Sequence, residues 1–152
     1  MAESEPVGAA VGGRAEVVDD GWGRETAVIR LDGGRFGPEA LHGLEDFSHV
    51  EVVHHFDRVP VERIETGTRH PRDNPDRPLV GVFAQHGKNR PNRLGVSRCR
   101  VVKVDGLDVR VVGLDAVDGT PVLDLKPYMV EFGPPGELRQ PEWATTSMDG
   151  HY

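Results

Sequence analysis

Residues 95–104 and 107–114 are two valine-rich runs that meet at Asp105-Gly106. An Asp-Gly step between β-branched runs is the strongest short-range signal for a β-hairpin. Glycine supplies the positive φ that a two-residue turn needs, and β-branched side chains suit a pleated surface. A second Asp-Gly, Asp118-Gly119, precedes the run 120–125 and predicts a second hairpin. The rest of the chain has to fit around antiparallel strands of this kind. Its 19 glycines and 12 prolines in 152 residues disfavour long helices and suit short strands joined by tight turns.

Further along the chain, Thr26–Leu31 is rich in apolar and β-branched residues and predicts a strand, and 36–41 predicts a short helical turn with Pro38 near its first position. Residues 48–56 predict a strand with Val50, Val52 and Phe56 on one face at period two. Residues 57–78 contain Pro60, Pro71, Pro75 and Pro78 among many charges and predict a long exposed loop, the kind that in a small domain is functional or disordered. Strand character resumes over 79–84. The expected organisation is a flexible tail over 1–14, one domain over 15–132 and an irregular extension over 133–152. Six or seven short strands with little helix make an all-β fold, a barrel or a sandwich.

Several functional classes are disfavoured. No apolar run approaches the ~20 residues needed to span a bilayer, and the acidic amino terminus lacks the basic region and apolar stretch of a secretory signal. A single cysteine, Cys99, fits a reducing compartment, so a cytoplasmic location is expected. There is no Gly-x-Gly-x-x-Gly and no P-loop, so any nucleotide is held without those devices. His54 and His55 are adjacent on a strand and point to opposite faces, and one cysteine cannot complete a usual zinc set, so no metal is expected. One of the two histidines is expected inside the barrel or its interface; His70 and His86 border the candidate site. The net charge of −7 argues against a general nucleic-acid binder, but it is unevenly spread. Residues 58–110 carry twelve Lys/Arg against six Asp/Glu, and 85–103 carry six bases and no acid. Such a segment either draws an anionic ligand or is a solvated basic strand with acidic neighbours.

Two stretches are poor for plain packing. GVFAQHGKNRPNRLGVS (81–97) leaves a strand, passes through polar residues including Lys88, Arg90 and Arg93, and re-enters a strand. LDAVDGTPVLDLKPY (114–128) gathers three carboxylates, a lysine, a tyrosine and two prolines. The first resembles the GxFATRSxxRPNxIGLS segment of the TrmO, or TsaA-like, family. The second is a near-complete match to that family's Asp-Gly-Thr-Pro…Asp-x-Lys-Pro-Tyr signature. Upstream, ALHGLEDFSHVEVVHHF (40–56) is similar to its Leu-x-Gly-Leu-Glu-x-Phe-Ser-His stretch. Three matches in order cover roughly residues 15–132.

The resemblance implies a closed or nearly closed antiparallel β-barrel with short helical turns. It also implies a homodimer that holds S-adenosyl-L-methionine near the subunit interface. The implied activity is methyl transfer to the base-attached nitrogen of the threonylcarbamoyl-modified adenosine beside a tRNA anticodon. Carried onto this chain, Phe83, Ala84, Gln85, Arg90 and Pro91 would line the cofactor. Leu114, Asp118, Gly119, Thr120 and Pro121 would complete its pocket. Asp124, Lys126 and Tyr128 would lie toward the substrate as catalytic residues, with His86, Lys88 and Arg93 as substrate contacts.

These residue types suit that chemistry. Displacement at a sulfonium needs alignment and exclusion of water more than covalent help. A cationic Arg90 suits a carboxylate, and a nitrogen nucleophile needs a base, for which Asp124, with Tyr128, is the candidate. Asp124 and Lys126 also share one strand face, as a plain surface ion pair would. Arg90 could equally hold its own loop.

The chain departs from the family where Gln85-His86-Gly87 replaces Thr-Arg-Ser and where Arg93 stands in place of a frequent proline. Arg93 either restores the missing charge or marks a different substrate. The carboxy-terminal domain of some members is expected to be absent. Two alternatives to tRNA methylation therefore stand: methylation of a small metabolite, and a non-catalytic S-adenosylmethionine-binding module.

Overall fold

The computed structural model describes residues 3–12 and 26–148. Eight strands form: β1 (Gly8–Val11), β2 (Thr26–Leu31), β3 (His49–His55), β4 (Thr68–Arg69), β5 (Val80–Gly81), β6 (Leu94–Asp105), β7 (Asp108–Val112) and β8 (Pro121–Pro127). Six of them close into an antiparallel barrel in the order β1-β2-β7-β6-β3-β8, with β8 returning to β1, and β4 and β5 form a separate two-stranded sheet. Closure leaves the barrel without an exposed sheet edge.

Strict alternation builds the wall. Along β3, Val50, Val52 and His54 are buried, while His49, Glu51, Val53 and His55 turn outward. Two register shifts, between Val101 and Lys103 on β6 and between Val53 and His54 against β8, bend the strands as closure requires. The interior is filled by Ile29, Val50, Val52, Cys99, Val109, Val111 and Val122, all at 0% exposure. So narrow a barrel has no room for a ligand, which leaves its ends and outer face for function.

Glycine is required at Gly95, where a Cβ would lie 2.5 Å from His54 Cε1 and 2.7 Å from Phe56 Cζ. Gly95→Ala is expected to destabilise the fold by about 1–3 kcal/mol, the usual cost of overpacking, read as a lower denaturation midpoint at unchanged slope.

Several expectations change. Gly8–Val11, expected in the tail, forms the strand that closes the barrel; it has few side-chain atoms to mark it and is held by its ladders to β2 and β8. The hairpin at Asp105-Gly106 is real, but its two loop residues are Gly106 and Leu107, with Asp105 paired to Asp108. Positive φ at Gly106 alone fits a type II′ turn. Asp118-Gly119 is not a hairpin, because β7 and β8 are not neighbours; the chain crosses the barrel end there. The strand expected over 79–84 shrinks to Val80–Gly81 and continues as a helical turn, Val82–Ala84. The 57–78 loop holds short turns at Val61–Arg63 and Pro71–Asp73 and the strand β4. Within the expected irregular extension, Glu142–Ser147 forms a helix, α1. The parts of the expected tail and domain at 1–2 and 13–25, and the extension at 149–152, lie outside the described residues. Among the described residues no helix is long and apolar enough to cross a membrane, and no group of three His, Cys, Asp or Glu could hold a metal ion.

Candidate functional site

Antiparallel closure puts the carboxyl ends of β1, β3 and β7 and the amino ends of β2, β6 and β8 at one end of the barrel. The loops at that end include 56–93 and 113–120, so both motif stretches converge there. They border a shallow cleft, open to solvent, with about 10 Å³ of room, no more than one water needs. Phe56, Val59, Ala116 and Val117 give it apolar walls, and Arg58, Lys88 and Asp115 give it charge.

Beneath the cleft, Lys88 Nζ lies 3.3 Å from Asp115 Oδ1, with the two side chains only 12% and 16% exposed. The same ammonium sits 5.6 Å from the centre of the Phe56 ring. Ser97 Oγ accepts from the Asp115 backbone N–H at 3.4 Å and shares a 3.1 Å hydrogen bond with His54 Nε2. His54 is 1% exposed, and its Nδ1 has no hydrogen-bond partner among the described residues. Burial, and then the nearby Lys88 charge, push its pKa down to about 4. Of the two adjacent histidines, His54 is therefore the one inside the barrel, in its neutral form.

The predicted cofactor residues are brought to this end but hold different posts. Phe83 is 79% exposed and is not among the residues that line the cleft; its turn also presents Ala84. Gln85 Nε2 donates to the carbonyls of Arg69 (3.2 Å) and Val80 (3.3 Å), tying its loop to the β4–β5 sheet. Arg90 Nη1 donates to Gln85 O at 2.7 Å, so it holds the loop, as the structural alternative for this residue supposed. Pro91 is half-buried in the same loop and His86 is exposed on it. Leu114, at 1% exposure, belongs to the core and has no face for a ligand. Thr120 is buried and lines the cleft, and Pro121 begins β8.

The Asp118-Gly119 turn has much of its hydrogen-bonding capacity engaged. Gly119 N–H donates to Ala10 O (2.8 Å), Arg58 Nη2 donates to Asp118 O (3.1 Å), and Asp118 Oδ1 accepts from Gly12 N–H (2.9 Å). The turn thus closes the barrel against β1. Arg93, with φ at +50°, donates through Nη1 to Val59 O at 2.8 Å and holds the cleft wall. The basic run therefore divides: Lys88, Arg90 and Arg93 bond to the protein itself, while Arg98, Arg100 and Lys103 are exposed on the outside of β6.

The predicted catalytic trio does not enter the cleft. Asp124 and Lys126 are exposed on the outer face of β8, and Asp124 Oδ1 accepts from the Leu125 N–H. Tyr128 N–H donates to His49 O at the start of β3, at the opposite end of the barrel, and Arg98 lies over its ring at 5.2 Å. Tyr128 lies seven positions beyond Pro121, roughly 20 Å at the usual rise. Missed in the sequence were Phe56, Arg58, Val59 and Asp115. Asp115 had a local signal as an acid within a motif stretch, and Phe56 as the last residue of the 40–56 stretch; Arg58 and Val59 approach through tertiary packing of a loop that propensity leaves blank.

The model of the tRNA-methyltransferase O N-terminal domain family matches residues 20–133. The chain belongs to this family. The resemblance of its three motif stretches to TrmO proteins is thereby borne out, as is the barrel that resemblance implies. A crystal structure of TrmO from Pseudomonas aeruginosa, at 26% identity, superposes with a TM-score of 0.75 over 95% of this chain and 62% of that one. A tRNA (adenine(37)-N6)-methyltransferase of Mus musculus is 37% identical over 65% of this chain and 22% of its own length. A probable S-adenosyl-L-methionine-binding protein of Pyrococcus abyssi is 37% identical over 62% of this chain and 48% of its own length. The chain thus spans less than two thirds of the length of each of these relatives.

The cleft fits S-adenosylmethionine in kind: apolar side chains, Phe56 among them, for an adenine face, and cations for a carboxylate. In volume, one chain supplies almost none of the enclosure, about 10 Å³ where sites for molecules of that size are typically about 300–1,000 Å³.

Proposed function

We propose that this protein is an S-adenosylmethionine-dependent methyltransferase that acts as a homodimer on the threonylcarbamoyl-modified adenosine beside the tRNA anticodon. The observation that carries the reading is the convergence of the two motif stretches on one solvent-open cleft at the barrel end, in a chain whose family is that of tRNA-methyltransferase O. Names of relatives point to the same cofactor and the same class of substrate.

Dimerisation resolves two features of the single chain. The single-chain cleft is too small to enclose the cofactor, and Asp124, Lys126 and Tyr128 lie outside it. A twofold pairing through the outer face of β6, β3 and β8 would bring the trio of one subunit to the cleft of the other. That face carries exposed Leu94 and Val96, with Val53 paired to both Val96 and Asp124 across the sheet. In this arrangement Phe83, Ala84 and the walls at Phe56, Val59 and Thr120 hold the cofactor, with Gln85, Arg90 and Pro91 shaping that wall from behind. Lys88 and Arg58 set a positive field for its carboxylate.

Once bound, the cofactor supplies a methyl group on a sulfonium. That methyl would pass to the base-attached nitrogen, the electron pair of the carbon–sulfur bond leaving with sulfur. Asp124 takes the proton the nitrogen must lose, with the Tyr128 hydroxyl and Lys126 orienting the acceptor. Binding of the tRNA is expected to weaken as salt rises, as contacts to phosphates do.

The reading is tested by incubating the purified protein with S-adenosylmethionine and tRNA carrying the threonylcarbamoyl adenosine, then analysing nucleosides by mass spectrometry. A gain of one methyl on that nucleoside is expected. Binding of S-adenosylmethionine with no transfer to any tRNA would leave a small-molecule acceptor or a cofactor-binding module instead. Sedimentation at micromolar concentration is expected to show a dimer of the 16.7 kDa chain, and a monomer at all concentrations would remove the shared site.

A further inference from the structure

A second cavity, of about 320 Å³, lies away from the cleft, between the 74–78 loop and α1. It is lined by Asn74, Asp76, Arg77, Glu142, Trp143 and Thr146. The loop beneath it is held in an uncommon form. Arg72 and Asp73 both have φ of +55°, the left-handed conformation that residues with a Cβ avoid. Arg69 clamps Asp73 through two hydrogen bonds of 2.8 and 2.7 Å, and Arg72 Nη1 reaches across to Ser147 O at 2.7 Å, pinning α1 to the loop. His70 Nδ1 donates to Arg77 O at 2.6 Å from the other side. The cavity is thus the gap between two elements fixed at a set distance.

Its chemistry is selective. The half-buried Trp143 offers a flat apolar ring, Asp76 and Glu142 offer carboxylate acceptors, and Arg77 is the single cation among the lining residues. Two acids to one base make a poor seat for a phosphate. They suit a flat group with N–H donors at its edge, as carboxylates accept from the exocyclic amine of cytosine. The loop is also coupled to the candidate methyl-transfer site, because Gln85 Nε2 bonds to Arg69 O and Val80 O on either side of it.

We infer that this cavity takes one unpaired nucleobase of the RNA strand, stacked on Trp143 with its amino edge donating to Asp76 or Glu142. The inference rests on the tRNA reading for its ligand. Aromatic platforms bind single-stranded bases in this way, each stacked base adding to the affinity.

The chain has two tryptophans, Trp22 and Trp143, so a Trp22→Phe variant leaves Trp143 as the only indole reporter. Its fluorescence is expected to be quenched by a seven-nucleotide single-stranded RNA and by cytidine monophosphate more strongly than by uridine monophosphate. In tRNA methylation, Trp143→Ala is expected to raise KM about tenfold with kcat nearly unchanged, and Trp143→Phe to recover most of the loss. Methyl transfer to tRNA with no quenching by millimolar RNA or nucleotides would overturn the pocket while leaving the tRNA reading in place. Quenching without methylation of any tRNA would sustain the pocket and sink that reading. Quenching by tetramethylammonium but not by RNA would mean that Trp143 and its carboxylates hold a cation, which also overturns the inference.

Discussion

Asp124→Asn is expected to lower the rate of methyl transfer about 100-fold or more, the usual contribution of a positioned general base, while S-adenosylmethionine affinity changes little. Tyr128→Phe is expected to act in the same direction and less strongly. Both side chains are on the outer wall of the barrel, Asp124 exposed and Tyr128 half-buried at the end away from the cleft, so neither substitution should disturb the core. The shared-site arrangement adds a sharper expectation. A variant of the proposed cofactor site such as Phe83→Ala, itself weak in cofactor binding, should complement Asp124→Asn when the two are mixed and allowed to exchange subunits. Half the dimers would be mixed and each would hold one intact site, so activity should recover to about a quarter of the unsubstituted level. Activity that stays at the level of the two separate variants would place the trio and the cleft in the same subunit, or outside the reaction.

The second large effect concerns stability against acid. The unfolded chain takes up a proton on His54 below the ordinary imidazole value of 6.5, whereas the folded protein refuses it until about pH 4. A folded-state pKa depressed in this way contributes stability that is fully present above pH 6.5 and is lost as the pH falls from there toward 4. The loss is about 1.4 kcal/mol per pH unit, or roughly 3 kcal/mol over the window. Denaturant unfolding at several pH values should therefore show His54→Gln losing less stability than the unsubstituted chain between pH 6.5 and 4. Parallel profiles for the two proteins would show that His54 does not carry this term.

The strands that form the barrel were legible wherever alternation was strong. Val50 and Val52 marked the inner face of β3, and the valines flanking Gly106 marked the β6–β7 hairpin. Where side chains are small, as in Gly8–Val11, nothing in the local pattern separates a closing strand from a loose tail, and only the ladders to β2 and β8 decide it. Asp118-Gly119 misled for a related reason. The dipeptide signals a tight turn, but whether the strands beyond it pair depends on strand order, which is a property of the whole barrel.

The site was legible as segments and not as geometry. Both motif stretches reach one end of the barrel, yet the roles within them shift. Arg90 and Arg93 each find a backbone carbonyl, Lys88 finds Asp115, and Leu114 is drawn into the core. Those partners lie 3 to 34 positions away along the chain, and spacing alone cannot rank them against a ligand. The outward position of Asp124, Lys126 and Tyr128 follows from period two along β8, but its meaning depends on a second subunit.

The central claim is tested most directly in cells. Nucleosides from the tRNA of a strain deleted for this protein are digested and weighed, with the unsubstituted chain or Asp124→Asn returned on a plasmid. The account predicts that the methylated threonylcarbamoyl adenosine disappears on deletion, that its unmethylated precursor accumulates, and that only the unsubstituted chain restores it. Persistence of the methylated nucleoside at its normal level in the deleted strain would contradict the account.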